Sequence, residues 1–276
     1  MTSSDSPRIS DHPPRKHATG ATQSLHPSAA VGPGPFVTVE RVSKNYGRTT
    51  AVDGLDLEIA PGETLGLLGA NGAGKTTLMH LLAGVVRPDS GVVRVGALDP
   101  VARATRRAIG LAPQLLAIYP RLTAAENLRF FGRIFGLQGA ELEARVRWAL
   151  ELSDLLDRAD DRAGHFSGGM QRRLNLACAV VHKPALLLLD EPTAGVDAQS
   201  RNHLFESIDQ LKALTGVTVV YSTHQTEEAV RLCDRVAVVD RGRVMAVGSP
   251  STLLEEHAFE DLQALLLSLT GKEPRD

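Results

Sequence analysis

Patterned apolar residues begin at Phe36. From there, short runs rich in β-branched and aliphatic residues, at 37–42, 55–59, 64–68 and 92–95, precede or alternate with helical patterns such as 77–82. That alternation predicts an α/β chain. Beyond Gln114 the texture changes: Thr123 stands three residues before Glu126 in a capping-box pattern, and Leu128, Phe131 and Phe135 then share one helical face. Residues from about 122 to 156 are therefore expected to be mainly helical, the centre of an inserted helical part covering about 115–170. Strand patterns resume at 185–190, 218–222 and 236–239, and Asp240-Arg241-Gly242-Arg243 predicts a turn into a further strand at 244–247. A last helical pattern covers 262–269, and its Leu265, Leu266 and Leu269 are expected to pack onto the core rather than form a membrane or docking face.

Composition adds limits to this outline. At 276 residues, 43% hydrophobic and 22% charged, the chain can bury a core of one large or two modest domains. A formal net charge of -2 leaves no basic excess to neutralise a phosphate backbone, so nucleic acid is not an expected partner. Cys178 and Cys233 are far apart and lack a C-x-x-C or His-rich companion, which predicts neither a disulfide framework nor a zinc site and fits a reducing, cytoplasmic setting. Apolar runs such as 185–189 fall well short of the roughly 20 residues that span a bilayer. A membrane role is thus expected to come from another chain. Residues 1–35 hold six of the fifteen prolines and three of the nine histidines without apolar periodicity, and are expected to be a disordered tail. The irregular spacing of His12, His17 and His26 there argues for incidental composition rather than metal binding.

The chemistry gathers in two places. Gly69-Ala70-Asn71-Gly72-Ala73-Gly74-Lys75-Thr76-Thr77 follows the strand at 64–68 and opens a helix, the context a P-loop requires. Glycines let backbone N–H groups turn inward around phosphates, and the helix N-terminus adds partial positive charge. Lys75 is expected to bridge the β- and γ-phosphates and Thr76 to ligate magnesium. Separately, Leu186-Leu187-Leu188-Leu189-Asp190-Glu191 reads as a buried parallel strand that delivers two acids at its C-terminal end. Asp190 would hold magnesium, directly or through water, and Glu191 would polarise an attacking water.

Between those elements, Phe166-Ser167-Gly168-Gly169-Met170-Gln171-Arg172-Arg173 resembles the signature sequence of ABC ATPases, which often has leucine or tyrosine where Phe166 stands. Further matches follow the family's order: Tyr46 in Lys44-Asn45-Tyr46-Gly47, Gln114 after Ala112-Pro113, Gly195-Val196-Asp197 after Glu191, and His224 after Ser222-Thr223. Together they extend from Phe36 to about Pro250. The resemblance implies a P-loop NTPase core with an N-terminal β-rich part and an inserted helical subdomain, over residues 36–250, followed by a C-terminal helical segment and tail at 251–276. It also implies a head-to-tail dimer, expected to be a homodimer, in which each ATP lies between one P-loop and the Ser167, Gly168 and Gly169 segment of the opposite chain. By the same resemblance Tyr46 would stack on adenine, Gln114 would touch magnesium and relay closure, Asp197 would lie at the dimer contact, and His224 would contact the γ-phosphate.

The stretch 118–133, with the signature and Ser222-Thr223-His224-Gln225-Thr226-Glu227-Glu228-Ala229, looks like bacterial multidrug and polysaccharide-type exporter ATPases. The expected function is ATP hydrolysis that powers a separate transmembrane permease, with ATP and Mg2+ bound and the chain peripheral on the cytoplasmic face of the membrane. The alternatives are an importer subunit and a regulatory ATPase with a soluble partner. A single module without long heptad insertions argues against translation-associated and chromosome-associated members of the family.

Overall fold

The computed structural model describes residues 34–271. The expected disordered tail and its three histidines therefore fall, apart from Gly34 and Pro35, outside the described residues. In chain order the strands are β1 (Val37–Tyr46), β2 (Thr49–Ile59), β3 (Thr64–Leu68), β4 (Ser90–Val95), β5 (Ile109–Ala112), β6 (Leu186–Asp190), β7 (Thr218–Thr223), β8 (Arg235–Asp240) and β9 (Arg243–Gly248). The helices are α1 (Lys75–Leu82), α2 (Arg103–Arg106), α3 (Ala124–Ile134), α4 (Gly139–Leu152), α5 (Gly168–Val180), α6 (Ala198–Thr215), α7 (Thr226–Leu232), α8 (Pro250–His257) and α9 (Leu262–Thr270).

Two sheets organise the chain, one antiparallel in the order β2-β1-β4 and one in the order β5-β6-β7-β3-β8-β9. The larger is parallel through β8, and β9 closes it antiparallel to β8. Its central strands β6, β7 and β3 are buried at every residue, as expected for parallel strands covered on both faces. β1 continues past the predicted 37–42 to Tyr46, because Asn45 and Tyr46 still pair with Thr50 and Thr49 of β2. β5 was not foreseen: four residues without alternation become a strand through pairing with β6. Arg241 and Gly242, at φ 47° and 77°, make the predicted turn between β8 and β9 with the left-handed geometry that matches hairpin twist.

The helices between β5 and β6 share their own apolar cluster, which includes Leu128, Val146, Leu150, Phe166 and Leu174. Thr123 Oγ1 accepts from Glu126 N at 3.1 Å while Glu126 Oε2 accepts from Thr123 N at 2.9 Å, so the capping box forms in full. α9 lays Leu265 and Leu266 into the cluster around β6 and β7, with Leu269 against its edge.

Both ends of α5 are held. Ser167 Oγ accepts from Met170 N at its start, and at its far end buried Arg145 donates from Nε to Val181 O at 2.9 Å and from Nη2 to Val180 O at 3.3 Å. The Arg145 guanidinium also lies 4.0 Å from the Trp148 ring centroid, and burial pushes its pKa down to about 10, which keeps it charged at neutral pH. Hydrogen bonds from charged donors are each worth about 1.5–3 kcal/mol. Arg145→Ala is accordingly expected to cost about 2–4 kcal/mol of stability, read as a lower urea midpoint at unchanged slope. A loss below about 0.5 kcal/mol, the scale of ordinary surface changes, would show that the clamp is dispensable.

Candidate functional site

The C-terminal ends of β3, β6 and β7 lie side by side, with Leu68 opposite Thr223 and Asp190 opposite Ser222. Open parallel sheets bind ligands at that edge. The loop after β3 wraps into α1, whose first turn begins at Gly74 without a side-chain cap, so its N–H groups face the groove unclaimed by a side chain. Glycine is required at both ends of the loop. A Cβ on Gly69 would lie 2.2 Å from Val239 O, and one on Gly74, at φ 108°, would lie 2.3 Å from Ala51 O. Backbone bonds continue this contact, from Gly242 N to Ala73 O at 2.8 Å and from Asp53 N to Gly242 O at 2.9 Å.

Asn71, Gly72, Gly74, Lys75, Thr76, Thr77, Gln114 and Glu191 line one open groove of about 380 Å³, together with Thr49, Thr50 and Ala51. Lys75 Nζ donates to Gly69 O at 2.7 Å and to Ala70 O at 3.2 Å, and lies 3.4 Å from Glu191 Oε1. Burial lowers the Lys75 pKa, while the Glu191 and Asp190 carboxylates work against that shift. Glu191 is the meeting point of the groove. Its Oε2 accepts from Gln114 Nε2 at 3.2 Å, and its Oε1 lies 3.4 Å from His224 Nδ1. The backbone there is left-handed, at φ 43°, a conformation that costs energy outside glycine and persists only where its surroundings enforce it.

Ser222, which sequence reasoning quoted but gave no role, supplies part of that enforcement. Its Oγ donates to Asp190 Oδ1 at 2.6 Å and accepts from Glu191 N at 3.1 Å, which fixes both acids from the neighbouring strand. Arg172, also quoted without a role, donates to Gln114 O at 2.6 Å and Ala194 O at 3.1 Å, so it ties α5 to the segments that follow β5 and β6. Only their occurrence beside Ser167 and His224 could have singled them out.

Several expected residues lie outside the lining of the groove: Gly69 and Asp190, His224 in a neighbouring pocket that shares Asn71, and also Tyr46 and the Ser167 segment. Tyr46, half-exposed, pairs with Thr49 at the rim, with Lys44 Nζ 5.8 Å from its ring centroid. Ser167, Gly168 and Gly169 are not among the groove's lining residues. Gly169 instead abuts α6, where an added Cβ would meet Ser200 Oγ at 2.2 Å. Asp197 has a local task that was not foreseen: it caps α6, accepting from Ser200 N at 2.9 Å, and that hydrogen bond holds its pKa down. The oxygen donors Thr76, Gln114 and Asp190 suit a hard divalent cation such as Mg2+, which takes one or two carboxylates and completes its shell with phosphate and water.

Residues 52–194 match the model of the ABC transporter family. The chain is 45% identical over 235 residues to the linearmycin resistance ATP-binding protein LnrL of Bacillus subtilis, covering 84% of this chain and 75% of that one. It is 44% identical to a Nod factor export ATP-binding protein I of Paraburkholderia xenovorans, covering 88% of this chain and 79% of that one. Its fold is similar, at a TM-score of 0.70 and 27% identity, to the dimeric post-hydrolysis structure of the ATP-binding cassette MJ0796 bound to ADP and Pi, covering 77% of this chain and 98% of that one.

Proposed function

Because the chain belongs to the ABC transporter family, as an ATP-binding subunit with ATPase activity, we propose that it works as a dimer that powers export through a separate permease. The observation that carries the catalytic part of this reading is the convergence of Lys75, Gln114 and His224 on Glu191, over a glycine loop at a helix N-terminus.

In this reading the loop N–H groups of residues 69–77 and the Lys75 ammonium hold the ATP phosphates, with Lys75 exchanging its loop carbonyl contacts for phosphate oxygens. Thr76, Asp190 and Gln114 would hold Mg2+, which when bound supplies charge neutralisation for the phosphates. Tyr46 offers its ring to adenine from the rim. Glu191 accepts a hydrogen bond from the attacking water and aligns it with the γ-phosphate, and His224, within reach of the same carboxylate, contacts the γ-phosphate. Water adds to the phosphorus as the bond to ADP breaks, and its proton leaves toward Glu191 or phosphate. Ser167, Gly168 and Gly169 lie off the chain's own groove, which favours their use in trans, against the γ-phosphate held by the second subunit. A homodimer, with Asp197 at its contact, is the simplest such arrangement.

Among the described residues no helix is long and apolar enough to cross a membrane; a separate permease would supply the spanning part, with this chain held peripherally on its cytoplasmic face. An apolar groove of about 260 Å³, lined by Val85, Leu111, Ala117, Phe131, Phe135 and His182 among others, offers a seat for it. This groove adjoins the Gln114 segment, since Asn175 in its lining donates from Nδ2 to Pro113 O at 3.3 Å, so a docked permease would lie against the loop that reaches Glu191. Residues 36–250 would act as the nucleotide-binding module, with about 115–170 as its helical part, 251–276 as a C-terminal segment and 1–35 as a tail. Export is favoured by the name of one set of relatives, the Nod factor export ATP-binding proteins.

The test is to purify tagged Glu191→Gln protein with ATP from detergent-solubilised membranes of its host and identify what accompanies it. A polytopic protein without its own ATPase module is the expected result. Recovery of soluble partners alone would replace this reading with a regulatory ATPase, and transport that depends on an extracytoplasmic binding protein would replace export with import.

A further inference from the structure

Glu228 is almost wholly enclosed, at 1% exposure on α7, yet it lines no part of the nucleotide groove. Burying a carboxylate is costly unless its acceptor sites are filled, and here hydroxyls from separate segments fill them. Thr193 Oγ1 donates to Oε1 at 2.7 Å, while Thr223 Oγ1 at 2.7 Å and Tyr221 OH at 3.0 Å donate to Oε2. Arg201 Nε stands 3.7 Å from Oε1.

The positions of these donors give the cluster its meaning. Thr193 lies two residues after Glu191, in the turn closed by Ala194 N to Glu191 O at 3.1 Å. Thr223 directly precedes His224, and its Oγ1 also accepts from Gln225 N at 3.0 Å. Arg201 follows Ser200, the residue against which Gly169 rests. We infer that Glu228 is a positioning residue for ATP hydrolysis, holding the turn after Glu191 and the end of the His224 strand to one another. The left-handed backbone of Glu191 and the exposed ring of His224 are features that such a tie would keep in register. Because none of its partners lines the groove, its loss should reach turnover and spare nucleotide binding. The inference rests on the proposed roles of Glu191 and His224.

The experiment measures kcat, KM and nucleotide affinity of the full chain for Glu228→Gln, Thr193→Val, Thr223→Val and their combinations, with Glu191→Gln beside them. Glu228→Gln is expected to lower kcat about 10–100-fold, the range for losing a group that orients reacting residues without touching the substrate, with KM and ATP affinity within about threefold of the parent. Each Val variant lowers kcat less, and adding it to Glu228→Gln costs little more, as for residues that act as one unit. Should Glu228→Gln fail to fold, Thr193→Ser against Thr193→Val decides: turnover kept by the hydroxyl and lost without it supports the inference. Unchanged kcat in folded Glu228→Gln, a rise in KM alone, equal effects of Thr193→Ser and Thr193→Val, or simple additivity would each overturn it. An active Glu191→Gln would instead bring down the catalytic reading of the groove; an inactive one beside a normal Glu228→Gln removes only the role of Glu228.

Discussion

Glu191→Gln protein is expected to bind ATP with little change in affinity and to hydrolyse it about 10²–10⁴-fold more slowly, the range for loss of a positioned acid or base. The amide keeps the size of the side chain and can still accept a hydrogen bond from Gln114 Nε2, which the carboxylate accepts at 3.2 Å. What disappears is the negative charge that, in the proposed role of Glu191, would draw a proton from the attacking water. The amide also no longer competes for the Lys75 ammonium, which the carboxylate holds at 3.4 Å, leaving that cation to the phosphates, so binding should hold or tighten. Single-turnover hydrolysis alongside equilibrium nucleotide binding separates the two quantities. Undiminished turnover would exclude Glu191 as the catalytic carboxylate.

Lys75→Ala should produce the opposite division. Charge-assisted hydrogen bonds of the kind Lys75 would give to phosphate are worth about 1.5–3 kcal/mol, so ATP affinity is expected to fall about 10–100-fold and turnover to fall with it. The change also leaves the buried Glu191 carboxylate, 8% exposed, facing the polyphosphate without the cation that now stands beside it. Titration with ATP and with AMP distinguishes the cause: the loss should be large for the triphosphate and small for the monophosphate. Equal losses for both would count against Lys75 as the phosphate ligand.

What could be read from the residues divides according to how local its cause is. The Thr123 and Glu126 cap, the Gly242 turn and the glycine loop before Lys75 each depend on a few neighbouring residues, and each forms where the pattern predicts it. The groove likewise gathers Lys75, Gln114 and Glu191, which their motifs had marked. Features with distant causes were hidden. β5 exists because β6 pairs with it. Glu228, in the polar stretch Thr226-Glu227-Glu228, has no local mark of burial; only the fold brings Thr193, Tyr221 and Thr223 onto it. Asp197 is a case of two demands on one residue, since a helix cap accounts for it locally while the expected dimer contact concerns a second chain.

The glycine loop has backbone oxygens of Val239 and Ala51 where Gly69 and Gly74 would otherwise carry side-chain atoms, and its Ala73 carbonyl is bonded to the β8–β9 turn. The loop's shape is therefore shared property of both sheets: neither sheet can loosen without changing the cradle. Binding and folding are linked for that reason, because a nucleotide that selects the assembled cradle stabilises by mass action every element that shapes it. Bound ATP is then expected to act as a strut between the two sheets as well as a fuel, seen as a rise in the unfolding midpoint with nucleotide concentration.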